Sequence, residues 1–125
     1  MSVGEAFYPG RPAIDAYGNG GFRFAEMSHK GSLLVLPSGV YDWSPVAFEG
    51  VTVASFAPVL AEHNELEFLL FGTGEEQRFP PDDMRRAFDE AGLGLEVMST
   101  GAACRTFNVL LAEQRRVAAA LIAVN

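Results

Sequence analysis

The run from Gly94 to Val124, GLEVMSTGAACRTFNVLLAEQRRVAAALIAV, decides the fold. Leu95–Met98 reads as a short strand, followed by a tight turn. Ala103, Phe107, Leu110 and Leu111 then fall at i, i+4, i+7 and i+8, which predicts a helix of about fifteen residues with one apolar stripe. Ser99 or Thr100 can cap its start, and Arg115 and Arg116 are expected at its end, where cations suit the helix dipole. Val117–Val124 is apolar nearly throughout, the pattern of a strand covered on both faces. Strand, crossover helix and strand make a right-handed βαβ unit.

Upstream the same pattern repeats. Leu66–Phe71 is a strongly apolar strand, Gly72-Thr73-Gly74 turns the chain, and Pro80-Pro81-Asp82-Asp83 opens a second helix with proline and carboxylates in its first turn. Met84, Ala87, Phe88 and Ala91 give that helix a buried face, and Gly92 suits its C′ position. The second half thus reads β-α-β-α-β, with three parallel strands and two crossovers. The first half reads as mostly antiparallel. Ala13–Tyr17 and Phe22–Ala25 alternate around Gly18-Asn19-Gly20-Gly21, which predicts a hairpin with a loop of about four residues. Ser32–Leu36 and Val40–Trp43 are further strands around Pro37-Ser38-Gly39. Ser55 is expected to cap a short helix through Val59, Leu60 and Ala61, with Pro58 tolerated in its first turn. The expected architecture is a single α/β domain over residues 13–125, a mixed central sheet with helices packed on it, preceded by an irregular arm over residues 1–12.

The totals narrow the function classes. A chain of 125 residues makes one domain with a real core, and 49% hydrophobic content argues against disorder. Nine Lys and Arg against 16 Asp and Glu give a formal charge of −7, which disfavours a generic nucleic-acid surface. No apolar run approaches the roughly 20 residues of a spanning helix. The start, MSVGEAFYPGRP, has neither the basic beginning nor the apolar centre of a secretory signal. The single cysteine excludes an internal disulfide and a cysteine-built zinc site, so a soluble protein of a reducing compartment is expected.

Chemistry in an open α/β sheet belongs outside the carboxyl ends of the parallel strands. Two such ends carry similar residues here: Gly72, Thr73 and Gly74, and Thr100 and Gly101. One reading is a crest where glycine backbones, threonine hydroxyls and a helix start bind an anion or small molecule. The other is a pair of turns that need small residues. Gln77 stands where a dinucleotide fingerprint needs its third glycine, and no phosphate-loop Gly-Lys motif follows. Arg105 and Asn108, on the helix side away from Phe107, are either surface residues or contacts to an anion or partner near the crest. Cys104 lies in the first turns of the helix, where the dipole favours a reactive thiolate, but it shares a face with Phe107 and Leu111, which favours inert packing. Tyr41 and Trp43 are expected in the core. His29 and His63 have no metal-ligand spacing, and Asp15, Asp42, Asp82 and Asp83 form no catalytic constellation with them. No catalytic residue, metal or cofactor is assigned. Phe7 and Tyr8 in the arm are candidate partner contacts.

Several stretches together resemble a known family. They are Leu69-Leu70-Phe71-Gly72-Thr73-Gly74, then Ser99-Thr100-Gly101-Ala102-Ala103-Cys104-Arg105-Thr106-Phe107-Asn108-Val109-Leu110, with Ile14-Asp15-Ala16-Tyr17-Gly18 and Leu36-Pro37-Ser38-Gly39-Val40-Tyr41-Asp42-Trp43. The chain is similar, over roughly Ala13–Val124, to a small-domain family of unknown function whose mitochondrial relative is complex I assembly factor 3. That resemblance implies a three-layer α/β fold with a mixed central sheet. It also implies assembly of respiratory complex I through protein contacts, with complex I subunits or another assembly factor as partners, and it brings no catalytic residues. A mitochondrial targeting segment has no counterpart here, which points to a bacterial-type cytoplasmic protein held near the inner membrane by a partner. Two functions follow: a non-enzymatic interaction module, or a small-molecule or anion-binding domain, with or without catalysis, at the strand crest.

Overall fold

The alanines at 118, 119 and 120 mark the centre of the molecule, because a strand packed on both faces between aromatic rings needs small side chains. The computed structural model describes residues 6–125. These form β1 (Ala16–Gly18), β2 (Gly21–Phe24), β3 (Met27–Lys30), β4 (Leu33–Leu36), β5 (Gly39–Asp42), α1 (Ala57–Ala61), β6 (Phe68–Gly72), α2 (Asp82–Glu90), β7 (Gly94–Met98), α3 (Thr100–Ala112) and β8 (Val117–Leu121). β8 is buried along its whole length and lies third in a mixed sheet of order β5-β4-β8-β6-β7. It runs parallel to β6 and antiparallel to β4, and β7 is parallel to β6. β1, β2 and β3 make a second, antiparallel sheet.

Alternation along β8 sorts the core into two halves. Val117, Ala119 and Leu121 face Ala103, Cys104 and Phe107 of α3, together with Phe22 and Phe24 of β2. Ala118, Ala120 and Ile122 face Phe56, Val59, Phe71, Met84 and Phe88. The central sheet is therefore sandwiched between α1 and α2 on one side and α3 with the small sheet on the other. From β6 to β7 the chain steps one way through α2; from β7 to β8 it steps back past β6 through α3, on the opposite face. Reversing both direction and face keeps the hand of the crossover, as the right-handed rule requires. Trp43 and Tyr41 are core residues, as expected; the Trp43 indole N–H donates to Ser55 O at 2.8 Å, and the Tyr41 hydroxyl meets Ser38 Oγ at 2.6 Å.

Some local expectations are corrected. The hairpin loop has two residues, not four: Gly18 pairs with Gly21, leaving Asn19 (φ 52°) and Gly20 (φ 79°) as a turn of the mirror-image kind that matches strand twist. Strand β3 was not expected at all. Its residues Met-Ser-His-Lys are polar and mostly exposed, and the turn before it uses Ala25 (φ 48°) and Glu26 (φ 63°), which give no glycine or asparagine signal. Ser55 does not cap α1; its hydroxyl accepts from Thr52 N–H at 3.0 Å within a preceding 3-10 turn. Helix α3 has thirteen residues and ends at Ala112, so Arg115 and Arg116 lie beyond its last turn. Arg115 instead pairs with Glu67 at 3.1 Å, and hydrogen bonds from Arg115 and the Arg116 N–H hold the Glu67 carboxyl below the usual carboxylate range. Of the arm, residues 1–5 lie outside the described residues; Tyr8 bridges to Val40 on the outer side of β5, and Arg11 donates to the carbonyls of Arg115 and Val117.

Candidate functional site

The crest where β6, β7 and α3 meet is built from the residues the sequence singled out. Gly72 ends β6 and Thr73 follows it, and Ser99 caps α3 by accepting from Ala102 N–H. Register brings Gly72 opposite Leu121 of β8 and Met98 of β7. A Cβ at Gly72 would lie 2.9 Å from Thr100 Cα and 3.0 Å from Leu121 Cδ2, so only glycine lets the helix start sit this close to the strand end.

The polar groups of this crest are engaged with one another. Thr100, fully buried, donates its hydroxyl to Ile122 O at 2.7 Å and accepts from Gly74 N–H at 3.0 Å, while its own N–H donates to Gly74 O at 2.8 Å. The Thr73 hydroxyl donates to Glu76 O (2.6 Å), lies 3.2 Å from Met98 O and accepts from Arg78 N–H at 3.0 Å. Both threonines therefore tie loop to strand. The remaining sequence candidates turn toward the small sheet. Gly101 underlies the Tyr17 ring, whose hydroxyl would lie 2.4 Å from a Cβ there. Arg105 donates to that hydroxyl at 3.3 Å. Asn108, expected near solvent, accepts from Ile14 N–H and donates to Ile14 O, both at 2.8 Å, and so mimics one rung of a β-ladder. Gly72, Thr73, Gly74 and Thr100 form one group; Gly101, Arg105 and Asn108 form another, which latches β1 to α3.

An open groove of about 460 Å³ lies beside Thr73 and Gly74, lined among others by Phe48, Glu49, Glu75, Glu76 and Arg78. Its field suits no anion: the one arginine is spent on Glu49 at 2.8 Å and stacks 5.0 Å above the Phe48 ring. Sequence reasoning missed Tyr17, Ile14 and Ile122 as members of the crest, because their contacts span 22 to 94 residues and leave no local pattern.

Cys104 is buried among Ala103, Phe107 and the central sheet, and desolvation pushes its thiol up to about 12, against a smaller opposing effect of Arg105. Burial overrides the helix start. The folded protein then keeps a proton that the unfolded chain releases above its ordinary thiol value, so stability is expected to fall as pH rises from about 9 toward 12. Labelling by an aromatic disulfide reagent should track unfolding and accelerate in urea. Rapid labelling of the native protein at mildly alkaline pH would contradict this placement.

Residues 14–122 match the model of a family described as a protein of unknown function (DUF498/DUF598). The chain belongs to this family. An uncharacterized family relative in Rhodobacter capsulatus is 34% identical over 98% of this chain and 93% of its own length. Mouse NADH dehydrogenase [ubiquinone] 1 alpha subcomplex assembly factor 3 is 30% identical over 98% of this chain, which spans 66% of the mouse protein, about two thirds of its length. A crystal structure described as an outer membrane protein from Bartonella henselae is 51% identical, with a TM-score of 0.91 over 94% of this chain and 99% of that one. The fold is thus that of its family, and no helix among the described residues is long and apolar enough to cross a membrane.

Proposed function

We propose that this chain is a non-enzymatic protein-interaction module that assists assembly of a respiratory NADH dehydrogenase. The observation that carries the reading is the 30% identity to the mouse assembly factor across nearly the whole described fold. The crest gives the reading further support: its two threonine hydroxyls are committed to internal contacts, and Arg105 reaches the Tyr17 hydroxyl. Residues 13–125 act as the folded unit. Partners are dehydrogenase subunits or a second assembly factor, and recruitment to the membrane goes through such a partner. Within the arm, Phe7 is the exposed member of the candidate pair and packs on His29 at 5.1 Å, while Tyr8 is half-buried, so Phe7 is the partner contact of the two.

The test is a tagged chain expressed in its native cells, captured after mild solubilisation of membranes and analysed by mass spectrometry. NADH dehydrogenase subunits or an assembly factor should co-purify, and deletion of the gene should lower the amount of assembled complex on a native gel. A partnerless protein, with assembly unchanged on deletion, would overturn the reading.

A further inference from the structure

The central sheet has two edges, and the described residues treat them differently. Along β5 the arm lies against the strand: Phe7 N–H donates to Val40 O at 2.7 Å, and Val40 N–H donates to Tyr8 O at 3.0 Å. Along β7 no strand follows on the outer side among the described residues. Gly94 N–H donates to Glu67 O, and Met98 O accepts from Thr73 N–H, so residues 94, 96 and 98 turn their backbone groups toward β6. Leu95 and Val97 consequently present theirs outward. One of these outward groups, Val97 O, accepts from the side-chain amide of Gln77 at 2.8 Å. The exposed Gln77 thus fills one rung of a ladder that an added strand would continue.

Beside this edge, on the face that carries α3, runs a groove of about 410 Å³ lined by Phe68, Leu70, Met98 and Leu110, with Glu96 and Thr106 on its borders. Glu67 at its end is already paired with Arg115. Glu96 is exposed and has no ion-pair partner among the described residues. The charge pattern discriminates between occupants. Two copies pairing antiparallel about the middle of β7 would set Glu96 opposite Glu96, and like charges facing across a ladder are destabilising. A chain with a net charge of −7 also repels its own copies. A strand bearing a cation opposite Glu96 meets neither penalty.

We propose that the β7 edge and its groove dock an extended segment of another protein, one that carries a Lys or Arg opposite Glu96 and an apolar residue two positions away on the same face. Main-chain hydrogen bonds to Leu95 and Val97 supply affinity, and on the face that carries α3 the groove takes the apolar side chain while Glu96 selects the cation two positions away. The inference rests on the interaction-module reading and gives it a surface and a partner chemistry.

Displayed random peptides of about ten residues, enough for one strand, would be selected on the folded full chain. The expected winners place Lys or Arg two positions from an apolar residue, and N-methylation at every second position, on the side that faces β7, should abolish binding. Leu95→Pro removes an outward donor at an edge position where proline is tolerated, and should weaken the winners by about tenfold or more. Glu96→Lys, which leaves the core untouched, should switch selection to peptides carrying Asp or Glu, and Gln77→Ala should tighten binding by about threefold as the competing amide is removed. Circular dichroism of each variant separates lost docking from lost folding, and Glu96→Lys carries the test if Leu95→Pro does not fold. No enrichment over an unrelated protein, or winners indifferent to both Leu95→Pro and Glu96→Lys, would overturn the proposal. If both variants still capture dehydrogenase subunits from cells, the edge is not the docking site and the module reading stands. If the wild-type chain captures none, the module reading itself fails.

Discussion

Phe71→Ala is expected to lower the unfolding free energy by about 3–5 kcal/mol, a large share of the marginal stability of a domain this size. Phe71 is fully buried near the end of β6 and meets three rings: Phe56 edge-on at 5.2 Å, Trp43 edge-on at 5.9 Å and Phe48 stacked at 6.1 Å. Phe56 continues the cluster to Phe88 of α2 at 5.2 Å. Truncation leaves a cavity that these rings cannot close without leaving their rotamers, since the residue beside Phe71 on the neighbouring strand β8 is only Ala120. Urea denaturation measures the loss. Val109→Ala, at a position 58% exposed on α3, serves as the control and should stay within about 0.5 kcal/mol of wild type. A loss below about 1 kcal/mol for Phe71→Ala would mean that the ring cluster is not the main core of that layer.

The elements that sequence predicts well are those whose burial imposes a period. The stripe of Ala103, Phe107 and Leu110 and the unbroken apolar run after Val117 leave room for one arrangement, and β6, β7 and β8 are parallel as read. The small sheet was only half legible for the same reason. Phe22 and Phe24 alternate with Arg23 because one face of β2 is buried, whereas β3 pairs only with β2, buries none of its residues fully and so is under no pressure to alternate. Its turn rests on Ala25 and Glu26 in the left-handed region, a conformation that no side chain there announces.

The crest shows where residue-level reading stops. Glycines and threonines at two strand ends were visible, but whether their hydroxyls face a ligand or the chain depends on which carbonyl the fold brings alongside. That is decided by the register of β6 on β8, which pairs Gly72 with Leu121 and delivers Ile122 O to Thr100. Asn108 follows the same logic: an exposed-looking helical position became a backbone partner because β1 was folded across α3. Spacing within one helix carries no information about a contact 94 residues away.

Thr100→Val tests that account at the site itself, and it is expected to cost about 2–4 kcal/mol. The two side chains have nearly the same shape, so the change removes a hydroxyl without opening a cavity. It leaves Ile122 O without the donor at 2.7 Å and Gly74 N–H without the acceptor at 3.0 Å, both beside a side chain that is fully buried. Each buried group left unpaired costs about 1–3 kcal/mol, while the added methyl returns little at a site already closed to water. Thr100→Ser keeps the hydroxyl and loses one methyl, so its cost should be about 1 kcal/mol. The decisive result is the order: if the hydroxyl is a structural tie, serine is the better substitute although valine is the more hydrophobic, and amide exchange at Gly74 speeds up only in the valine variant. Valine equal to or better than serine would mean that the hydroxyl is not needed by the fold, and a crest with spare polar groups would again be a place to look for a ligand.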